Sequence, residues 1–283
     1  MKVSLHWLKR FVDFDLNATQ LADQLTMRGF ESEVVTDFNS LDNVVVGDVL
    51  SAQKHPDADK LKLCTVSDGN EEFSVVCGAP NVDKGQKIVF AKVGAILPGD
   101  FKIGKAKIRG VESSGMICSE RELGISEEHD GIMVLDNDAK TGSSIKDILG
   151  PIYNAIDIEV TPDKAFALSH RGIAREVAAM LGTTLKTPLS VTELSSNTKD
   201  NISIELDKKS GCTRYMAGIM KGVKVGPSPK WLADYLKSVG QKSINNLVDI
   251  SNFMLLEIGH PTHIFDLKKL STPAIEVAWA KKG

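Results

Sequence analysis

The chain has 283 residues, of which 42% are hydrophobic and 25% are charged, and its formal net charge at pH 7 is −3. This composition is ordinary for a soluble globular protein, and the length allows two or three domains. No apolar run approaches the roughly 18 residues of a membrane span and no secretory signal is present, so we expect a cytoplasmic protein with no membrane partner. Four widely spaced cysteines exclude a disulfide framework and a zinc knuckle.

Two short helices are predicted at the N-terminus. The first runs from Ser4 to Val12 and is capped by Ser4, and the second begins at Asn17 and ends near Gly29. The second helix runs through the apolar residues Leu21, Leu25 and Met27. Two short helices bury too little apolar surface to offset chain entropy, so their packing partner must come from elsewhere in the sequence.

Several short alternating segments follow, with turn residues between them. They are Lys62 to Ser67, Glu72 to Cys77, Lys87 to Val93 and Phe101 to Ile108. Closely spaced strands of this kind predict a small antiparallel barrel.

A local excess of basic residues lies in the second half of the barrel region. Between positions 84 and 109 there is one acid, Asp100, and the basic residues are Lys84, Lys87, Lys92, Lys102, Lys105, Lys107 and Arg109. Such a strip favours a phosphate backbone on one face of the barrel. The alternative is a solvated edge strand that lysines protect from pairing.

The second flank of the barrel supplies the missing partner of the N-terminal helices. Ile156 to Val160 alternates as a strand, and Ser169 to Leu181 has the pattern of a helix that ends before Gly182. We therefore expect both flanks to form one small α+β domain with the barrel inserted in it, and Leu8, Leu25, Ile173 and Val177 to share its core.

A polar linker is predicted from Ser195 to about Asp200, followed by a third domain. This domain begins with an alternating segment at 202–206 and continues through Tyr215 to Val225. Its further expected elements are a helix from Ser228-Pro229 to Gly240, a helix from Asn246 to Ile258, and a strand at 274–280. Lys281 to Gly283 has the pattern of a turn with no return strand, so we expect this domain to be cut in mid-fold.

Several polar groups have structural alternatives to a chemical role. His260, His263 and Asp266 have the spacing of metal ligands but lack a further convergent ligand. Asp249, Asn252 and Asp266 can cap helices and turns. Arg171, Arg175 and Glu176 can belong to a helix that serves packing and salt bridges. His55 and Asp57 can form a structural turn, because Pro56 between them fixes the local backbone.

Four motifs occur in an order that is typical of one family. They are His55-Pro-Asp-Ala-Asp-Lys-Leu61 with Gly115-Met-Ile-Cys-Ser119, Thr161-Pro-Asp-Lys164 through Glu176, Val248-Asp-Ile-Ser-Asn-Phe253, and Gly259-His-Pro-Thr-His-Ile-Phe-Asp266. The first resembles the tRNA-binding barrel of several aminoacyl-tRNA synthetases. Together the motifs resemble the N-terminal third of the β subunits of bacterial phenylalanyl-tRNA synthetase.

The resemblance implies an α+β multidomain fold. A five-stranded OB-fold β-barrel is inserted in a small α+β domain and is followed by part of an α+β editing domain. The implied bounds are 1–38 plus 150–194 for the discontinuous α+β domain, 39–149 for the OB-fold tRNA-binding domain, and 200–283 for the truncated editing domain.

The function implied by the resemblance is that of a phenylalanine-tRNA ligase, an enzyme of protein biosynthesis. The chain would contribute tRNA binding through the seven basic residues, and part of the site that hydrolyses mischarged Tyr-tRNA(Phe). His263 maps to the editing-pocket histidine, Lys242 stands where the family usually has arginine, and Asn252 belongs to the same pocket. Lysine cannot supply the forked donors of arginine.

Cofactors and partners follow from the same resemblance. ATP and Mg²⁺ would serve the holoenzyme on the α subunit of an α2β2 tetramer that binds tRNA(Phe), while this fragment holds no cofactor and no metal. The chain has no Gly-rich Lys-Ser or Lys-Thr loop and no other ATP signature, so we expect the fragment alone to be inactive in aminoacylation and in editing. The alternative function is a free-standing tRNA-binding or chaperone-like module without catalysis.

Overall fold

The structure is a computed structural model that describes residues 1–38, 41–126, 129–187, 202–270, 272 and 274–280. The linker expected at 195–200 and the turn expected at 281–283 lie outside these residues. The strands are β1 (Lys2–Ser4), β2 (Ser32–Thr36), β3 (Val44–His55), β4 (Ala58–Ser67), β5 (Glu72–Cys77), β6 (Lys87–Ala91), β7 (Ile96–Leu97), β8 (Phe101–Lys102), β9 (Lys105–Ile108), β10 (Val111–Ser114), β11 (Met116–Ile117), β12 (Val134–Leu135), β13 (Ala155–Ile158), β14 (Ser203–Leu206) and β15 (Ala274–Val277). The helices are α1 (Leu5–Leu8), α2 (Ala18–Thr26), α3 (Ile145–Tyr153), α4 (His170–Leu181), α5 (Lys230–Lys237) and α6 (Asn246–Ile258), with 3₁₀ turns at Pro162–Ala167 and Leu267–Lys269. The fold is therefore mixed α/β.

A small antiparallel sheet joins the two flanks of the chain. Its order is β1-β13-β2, so the central strand comes from residues 155–158 and the outer strands from the N-terminus. One hydrophobic core lies against this sheet and contains Leu8, Leu25, Ile173 and Val177. The packing that the sequence predicts between the flanks is thus confirmed.

The larger sheet carries the central part of the chain. Hydrogen bonds connect its strands in the order β11-β6-β3-β4-β5, and β12 pairs beside β6. In the described residues this path is open, because no hydrogen-bonded ladder joins β5 to β11. Two separate hydrophobic clusters contact this sheet, one around Val46 and Val89 and the other around Val66 and Phe90.

Gly47 is needed where β3 crosses this sheet. A Cβ atom at Gly47 would lie 2.7 Å from Ile88 Cδ1, 2.8 Å from Val66 Cγ1 and 2.9 Å from Phe90 Cβ. The close approach of these side chains therefore excludes any larger residue at position 47 unless the sheet shifts.

Local capping explains where the helices begin and end. Asn17 and Gln20 form the predicted capping box at the start of α2, and α4 runs between the Ser169 cap and Gly182, which has a φ of 63°. Asn245 caps α6 and Gly259 ends it with a φ of 77°. These helix predictions are confirmed because their end signals are local.

Other predicted elements differ from the structure. The first helix ends at Leu8, and Met27 is 84% exposed because it lies beyond the buried stripe of α2. The segment 101–108 is split into β8 and β9 around Gly104. Two strands of the last region, β14 and β15, pair in parallel.

The helices α5 and α6 pack against the N-terminal core. Leu232, Leu236, Val239 and Phe253 belong to the same hydrophobic cluster as Trp7 and Ile173. Elements before and after the predicted linker therefore share one hydrophobic core. Among the described residues, no helix has both the length and the apolar character needed to cross a membrane.

Candidate functional site

The seven basic residues of the predicted RNA-binding strip fall into two groups. Lys87 Nζ donates to Asp48 Oδ2 at 2.8 Å and to Thr141 Oγ1 at 2.6 Å, and Lys92 Nζ donates to Asp68 Oδ2 at 2.5 Å. Both lysine side chains are partly buried. Their charges are therefore already neutralised by carboxylates of the same sheet.

The other group projects into solvent. Lys102 is on β8, Lys105 and Lys107 are on β9, and Arg109 occupies the turn to β10, and all four are exposed. Lys84 is also exposed, in the turn before β6. We call the exposed group of Lys102, Lys105, Lys107 and Arg109 the basic arm.

The hairpin β9–β10 determines the shape of the basic arm. Ile108 pairs with Val111, so Arg109 and Gly110 form a two-residue turn in which both φ angles are positive, 49° and 87°. Positive φ at both positions is typical of the turn type that fits the twist of a hairpin. Lys105 and Lys107 share one face, and Glu112 lies 3.3 Å from Lys105 Nζ with both side chains about two-thirds exposed. An exposed pair of this kind neutralises its lysine only weakly.

His55 belongs to the turn between β3 and β4. It pairs with Ala58, which leaves Pro56 and Asp57 as the loop, and its Nδ1 accepts a hydrogen bond of 3.1 Å from the backbone N–H of Asp57. The side chain is buried, and its Nε2 has no hydrogen-bond partner among the described residues. The contacts in the structure are thus those of a turn.

The three predicted editing residues lie around helix α6. Asn252 is in the helix and partly buried, and Lys242 and His263 are exposed in the segments before and after it. His263 lies beside Phe265, with 6.5 Å between ring centroids. Helix α6 therefore contains one of these residues, and the segments that flank the helix contain the other two.

Asp249 connects α6 to the segment that contains Lys242. Its fully buried carboxylate accepts hydrogen bonds from Ser243 Oγ at 2.5 Å, from the Ile244 N–H at 2.9 Å, and from Ser228 Oγ. Burial alone would raise the pKa of Asp249, but the hydrogen bonds from Ile244, Ser228 and Ser243 outweigh it and hold the pKa below its ordinary value. Asp249 is thus an ionised acceptor that fixes this segment.

Ser251 makes the corresponding connection on the other side. Its Oγ donates to the Thr262 carbonyl at 3.1 Å and lies 2.8 Å from Thr262 Oγ1. Thr262 is the residue before His263. The segment that carries the histidine is therefore tied to α6 by a side chain.

A buried polar cluster anchors the C-terminal half of α6 to the N-terminal core. Glu257 is fully buried and accepts hydrogen bonds from Trp7 Nε1 at 2.7 Å and from Arg10 Nη2 at 3.1 Å. The Trp7 ring stacks on Phe253 and on His170, with centroid distances of 4.8 and 4.1 Å. These contacts fix α6 relative to α1 and α4.

His170 bridges the same elements as a neutral imidazole. Its Nε2 accepts a hydrogen bond of 3.2 Å from the Ser4 N–H, and Nδ1 donates to the Leu256 carbonyl at 2.8 Å. Complete burial lowers its pKa to about 3, against a smaller raising effect of the Leu256 carbonyl. His170 is therefore a packing residue at neutral pH.

Sequence reasoning missed Ser251 and Glu257 as structural residues of this site, and it expected Asp249 only as a cap of a helix or turn. Asp249, Phe253 and Glu257 recur every four positions, so all three share one face of α6 and are buried there. The sequence signal that was available for these contacts was the pair of acidic residues, Asp249 and Glu257, at the two ends of this buried face. The apolar residues Val248 and Leu255 lie off this face and are 36% and 43% exposed.

The described residues contain no group of three or more His, Cys, Asp or Glu side chains that could hold a metal ion.

Cys64, Cys77, Cys118 and Cys212 are free thiols, and the first three are buried. Burial raises the pKa of the Cys118 thiol to about 12. Buried cysteines of this kind are chemically inert.

Comparison with known proteins identifies two family regions. A putative tRNA-binding domain matches residues 44–144, and a B3/4 domain matches residues 211–283. The chain is 46% identical over 280 residues to the phenylalanine–tRNA ligase beta subunit of Syntrophotalea carbinolica, covering 98% of this chain and 35% of that protein. The corresponding protein of Geobacter sulfurreducens is 46% identical over 285 residues, with 100% and 36% covered. The chain thus spans about a third of the length of these relatives.

A solved structure is similar to part of the chain. It is the MetRS-related protein from Pyrococcus horikoshii, which is 26% identical, covers 38% of this chain and 92% of its own, and superposes with a TM-score of 0.30.

Proposed function

This chain is homologous along its whole length to phenylalanine–tRNA ligase beta subunits, and on that premise we propose that it supplies a tRNA-binding surface and part of an editing site to such a ligase. The complete ligase attaches phenylalanine to tRNA(Phe) with ATP and Mg²⁺, which belong to the α subunit of an α2β2 assembly. The chain itself contributes RNA binding and proofreading. Both family regions support this function over a free-standing binding module, since such a module has no need of the second region.

The observation that carries the RNA-binding proposal is the basic arm within the tRNA-binding region. All four side chains are exposed, three of them on the β9–β10 hairpin and Lys102 on β8, whereas Lys87 and Lys92 are held in partly buried ion pairs. Exposed cations release the counterions of a phosphate backbone when they bind it. The basic arm therefore supplies most of the attraction together with the exposed Lys84, whereas Lys87 and Lys92 contribute less because Asp48 and Asp68 neutralise their charges.

We further propose that the large sheet closes as a five-stranded OB barrel. The support is the position of β10, which leads directly into β11 at one edge of the sheet and contacts β5 at the other. The Val76 N–H donates to Ser113 Oγ at 3.1 Å, and Ser74 Oγ donates to the Glu112 carbonyl at 3.4 Å. Side-chain bonds of this kind bring the two edges together without a regular ladder.

The proposed domain bounds are those that the sequence implies, 1–38 with 150–194, 39–149 and 200–283. Support comes from the small sheet, which draws strands from both flanks of the inserted region. The helices α5 and α6 then belong to the third domain by sequence and pack on the first.

The editing proposal assigns His263, Lys242 and Asn252 to part of a pocket for a mischarged tyrosyl group. An aminoacylation site shaped for the phenyl ring of phenylalanine discriminates against the added hydroxyl of tyrosine by only about a hundredfold. A second site that recognises the hydroxyl is therefore needed. The arrangement of these residues around α6, together with the B3/4 region, supports this assignment.

The RNA-binding proposal is tested by salt dependence. Lys105→Ala with Lys107→Ala should weaken binding of tRNA(Phe) to the full-length chain and reduce the slope of log K against log salt by about 0.7–0.9 for each phosphate that the variant no longer neutralises. Filter binding or fluorescence anisotropy at salt concentrations from about 50 to 200 mM measures both quantities.

The matched control is Lys208→Ala with Lys209→Ala, which removes the same charge from an exposed segment outside the tRNA-binding region. This control should leave the slope unchanged. Equal effects of the two double variants would reduce the basic arm to a general contribution of net charge.

A further inference from the structure

Helix α6 forms side-chain hydrogen bonds to both segments that carry the other two candidate editing residues. On one side, the Asp249 carboxylate accepts three hydrogen bonds, from Ser228 Oγ, Ser243 Oγ and the Ile244 N–H. Ser243 directly follows Lys242. The backbone of the Lys242 segment is therefore fixed to the helix at the two residues after the lysine.

On the other side, Ser251 binds Thr262 through both the backbone carbonyl and the hydroxyl, at 3.1 and 2.8 Å. Thr262 directly precedes His263. The described residues 260–266 around this bond contain neither helix nor strand, so the ladder of a regular element does not hold them. A loop without such a ladder keeps one conformation only through specific contacts.

Helical geometry places Asn252 between the two connections. With about 100° per residue, Ser251 points about 200° away from Asp249, and Asn252 points into the shorter arc between them. Val248 and Leu255 lie in the same arc and are 36% and 43% exposed. The Lys242 and His263 segments thus border one accessible strip of α6 that has Asn252 at its centre.

We propose that Asp249 and Ser251 are positioning residues of the editing site, which hold Lys242 and His263 on either side of Asn252 and do not touch the substrate. This inference rests on the proposed editing function. Side chains that act on a reacting group must be held in place, because a displacement of about 1 Å can cost on the order of a hundredfold in rate. The two residues supply that constraint from a helix that Glu257 anchors to the N-terminal core.

The test uses the full-length β chain assembled with its α subunit and measures single-turnover deacylation of Tyr-tRNA(Phe). Ser251→Ala should slow deacylation about tenfold, through loss of the bonds to Thr262 and looser placement of His263. Ser251→Thr should restore the rate because it keeps the hydroxyl. Ser238→Ala is the matched control, since among the described residues its hydroxyl bonds the Tyr235 carbonyl within the α5 region and no editing residue, and it should deacylate at the wild-type rate.

A coupling measurement separates positioning from a general loss of structure. In a His263→Ala background, Ser251→Ala should cause no further decrease in the residual rate, because its effect passes through His263. Aminoacylation by the same samples should stay at the wild-type level. Asp249→Asn keeps the side-chain volume, and it should slow deacylation in the same way while remaining additive with Ser251→Ala, because the two act on different segments.

The outcomes distinguish this inference from the proposed function. A wild-type rate for Ser251→Ala alongside a slow His263→Ala would overturn the positioning role and leave the editing proposal intact. A fully active His263→Ala would overturn the editing proposal itself. Additive effects of Ser251→Ala and His263→Ala would show that Ser251 acts independently of the histidine, which also contradicts the inference.

Discussion

Asp68 combines burial with a full set of hydrogen bonds at the end of β4. Its Oδ1 accepts from the backbone N–H groups of Asn70 and Glu71 at 2.9 and 2.8 Å, and its Oδ2 accepts from Lys92 Nζ. The hydrogen bonds from Lys92 and from the Glu71 and Asn70 N–H groups lower the pKa of Asp68 to about 2, against a smaller raising effect of burial. A carboxyl whose folded pKa lies below its ordinary value stabilises the fold above that value and loses this contribution as the pH falls towards the folded pKa.

We therefore expect Asp68→Asn to destabilise the tRNA-binding region by about 2 kcal/mol at pH 7, the equivalent of the pKa shift. The difference between wild type and variant should begin to shrink near pH 4 and nearly vanish near pH 2. Denaturant unfolding at a series of pH values measures it. A difference that stays constant from pH 7 to pH 2 would contradict the assignment of the low pKa to Asp68.

At the scale of single elements, helix α6 is held to the N-terminal core by the buried carboxylate of Glu257. Glu257→Ala would remove the acceptor of Trp7 Nε1 and the partner of Arg10. Breaking a fully buried ion pair typically costs about 3–5 kcal/mol, and because the Arg10 side chain is 29% exposed we expect a smaller loss of about 2–3 kcal/mol. The midpoint of denaturant unfolding, followed by tryptophan fluorescence, measures this loss.

Glu257→Gln is the control for this prediction. Glutamine keeps an oxygen acceptor for Trp7 but removes the charge that faces Arg10, so it should cost less than alanine. If both variants unfold at the wild-type midpoint, the buried pair contributes no net stability and α6 is held by apolar packing alone.

Elements with local end signals were predictable from the sequence, and those that depend on distant partners were not. The bounds of α6 and β5 agree with prediction, because Asn245 and Gly259 cap the helix and turn residues flank the strand. The strand β3 was missed although it is the centre of the large sheet, since its second half, Ser51 to His55, is mostly polar and has only His55 buried. Tertiary contacts decide such a segment, not its own pattern.

The same distinction applies to the candidate site. Motifs identified His263 and Asn252 by position, but the bonds of Asp249 and Ser251 join residues up to 21 positions apart and leave no periodic signal. The division of the basic residues into ion-paired and exposed groups also depends on Asp48 and Asp68, which lie in other parts of the sheet. Charge counting along one segment cannot separate these groups.

Helix α5 connects the central region to the N-terminal core. Lys237 Nζ lies 2.6 Å from Glu120 Oε1, and the Tyr153 hydroxyl donates to Asp234 at 3.3 Å. Lys230 lies 3.7 Å from Asp136, but both side chains of that pair are about two-thirds exposed. The Lys237–Glu120 pair is the more buried of the two ion pairs and should contribute more to fixing the orientation.

We expect Lys237→Glu to loosen the contact between α5 and the central region, because it places a second carboxylate against Glu120. Amide hydrogen exchange in α5 should become faster by about tenfold, which corresponds to roughly 1.4 kcal/mol of local stability. Lys230→Glu makes the same change of charge at the exposed pair and should have a smaller effect. Equal exchange in both variants would mean that the buried pair does not fix α5.

The order of the small sheet has a consequence for synthesis on the ribosome. Its outer strands, β1 and β2, are made before β13, which ends at Ile158, and β13 is the one strand of the described residues with which each of them pairs. About 120 residues separate Thr36 from Ile158, and at roughly 5–20 residues per second their translation takes about 6–24 s. Throughout that interval the N-terminal apolar residues lack their central strand while the whole tRNA-binding region emerges with its own partners complete. The segment that contains β1 and β2 is therefore among the last to reach its native pairing, and the nascent chain is open to chaperone binding at this segment until β13 leaves the exit tunnel.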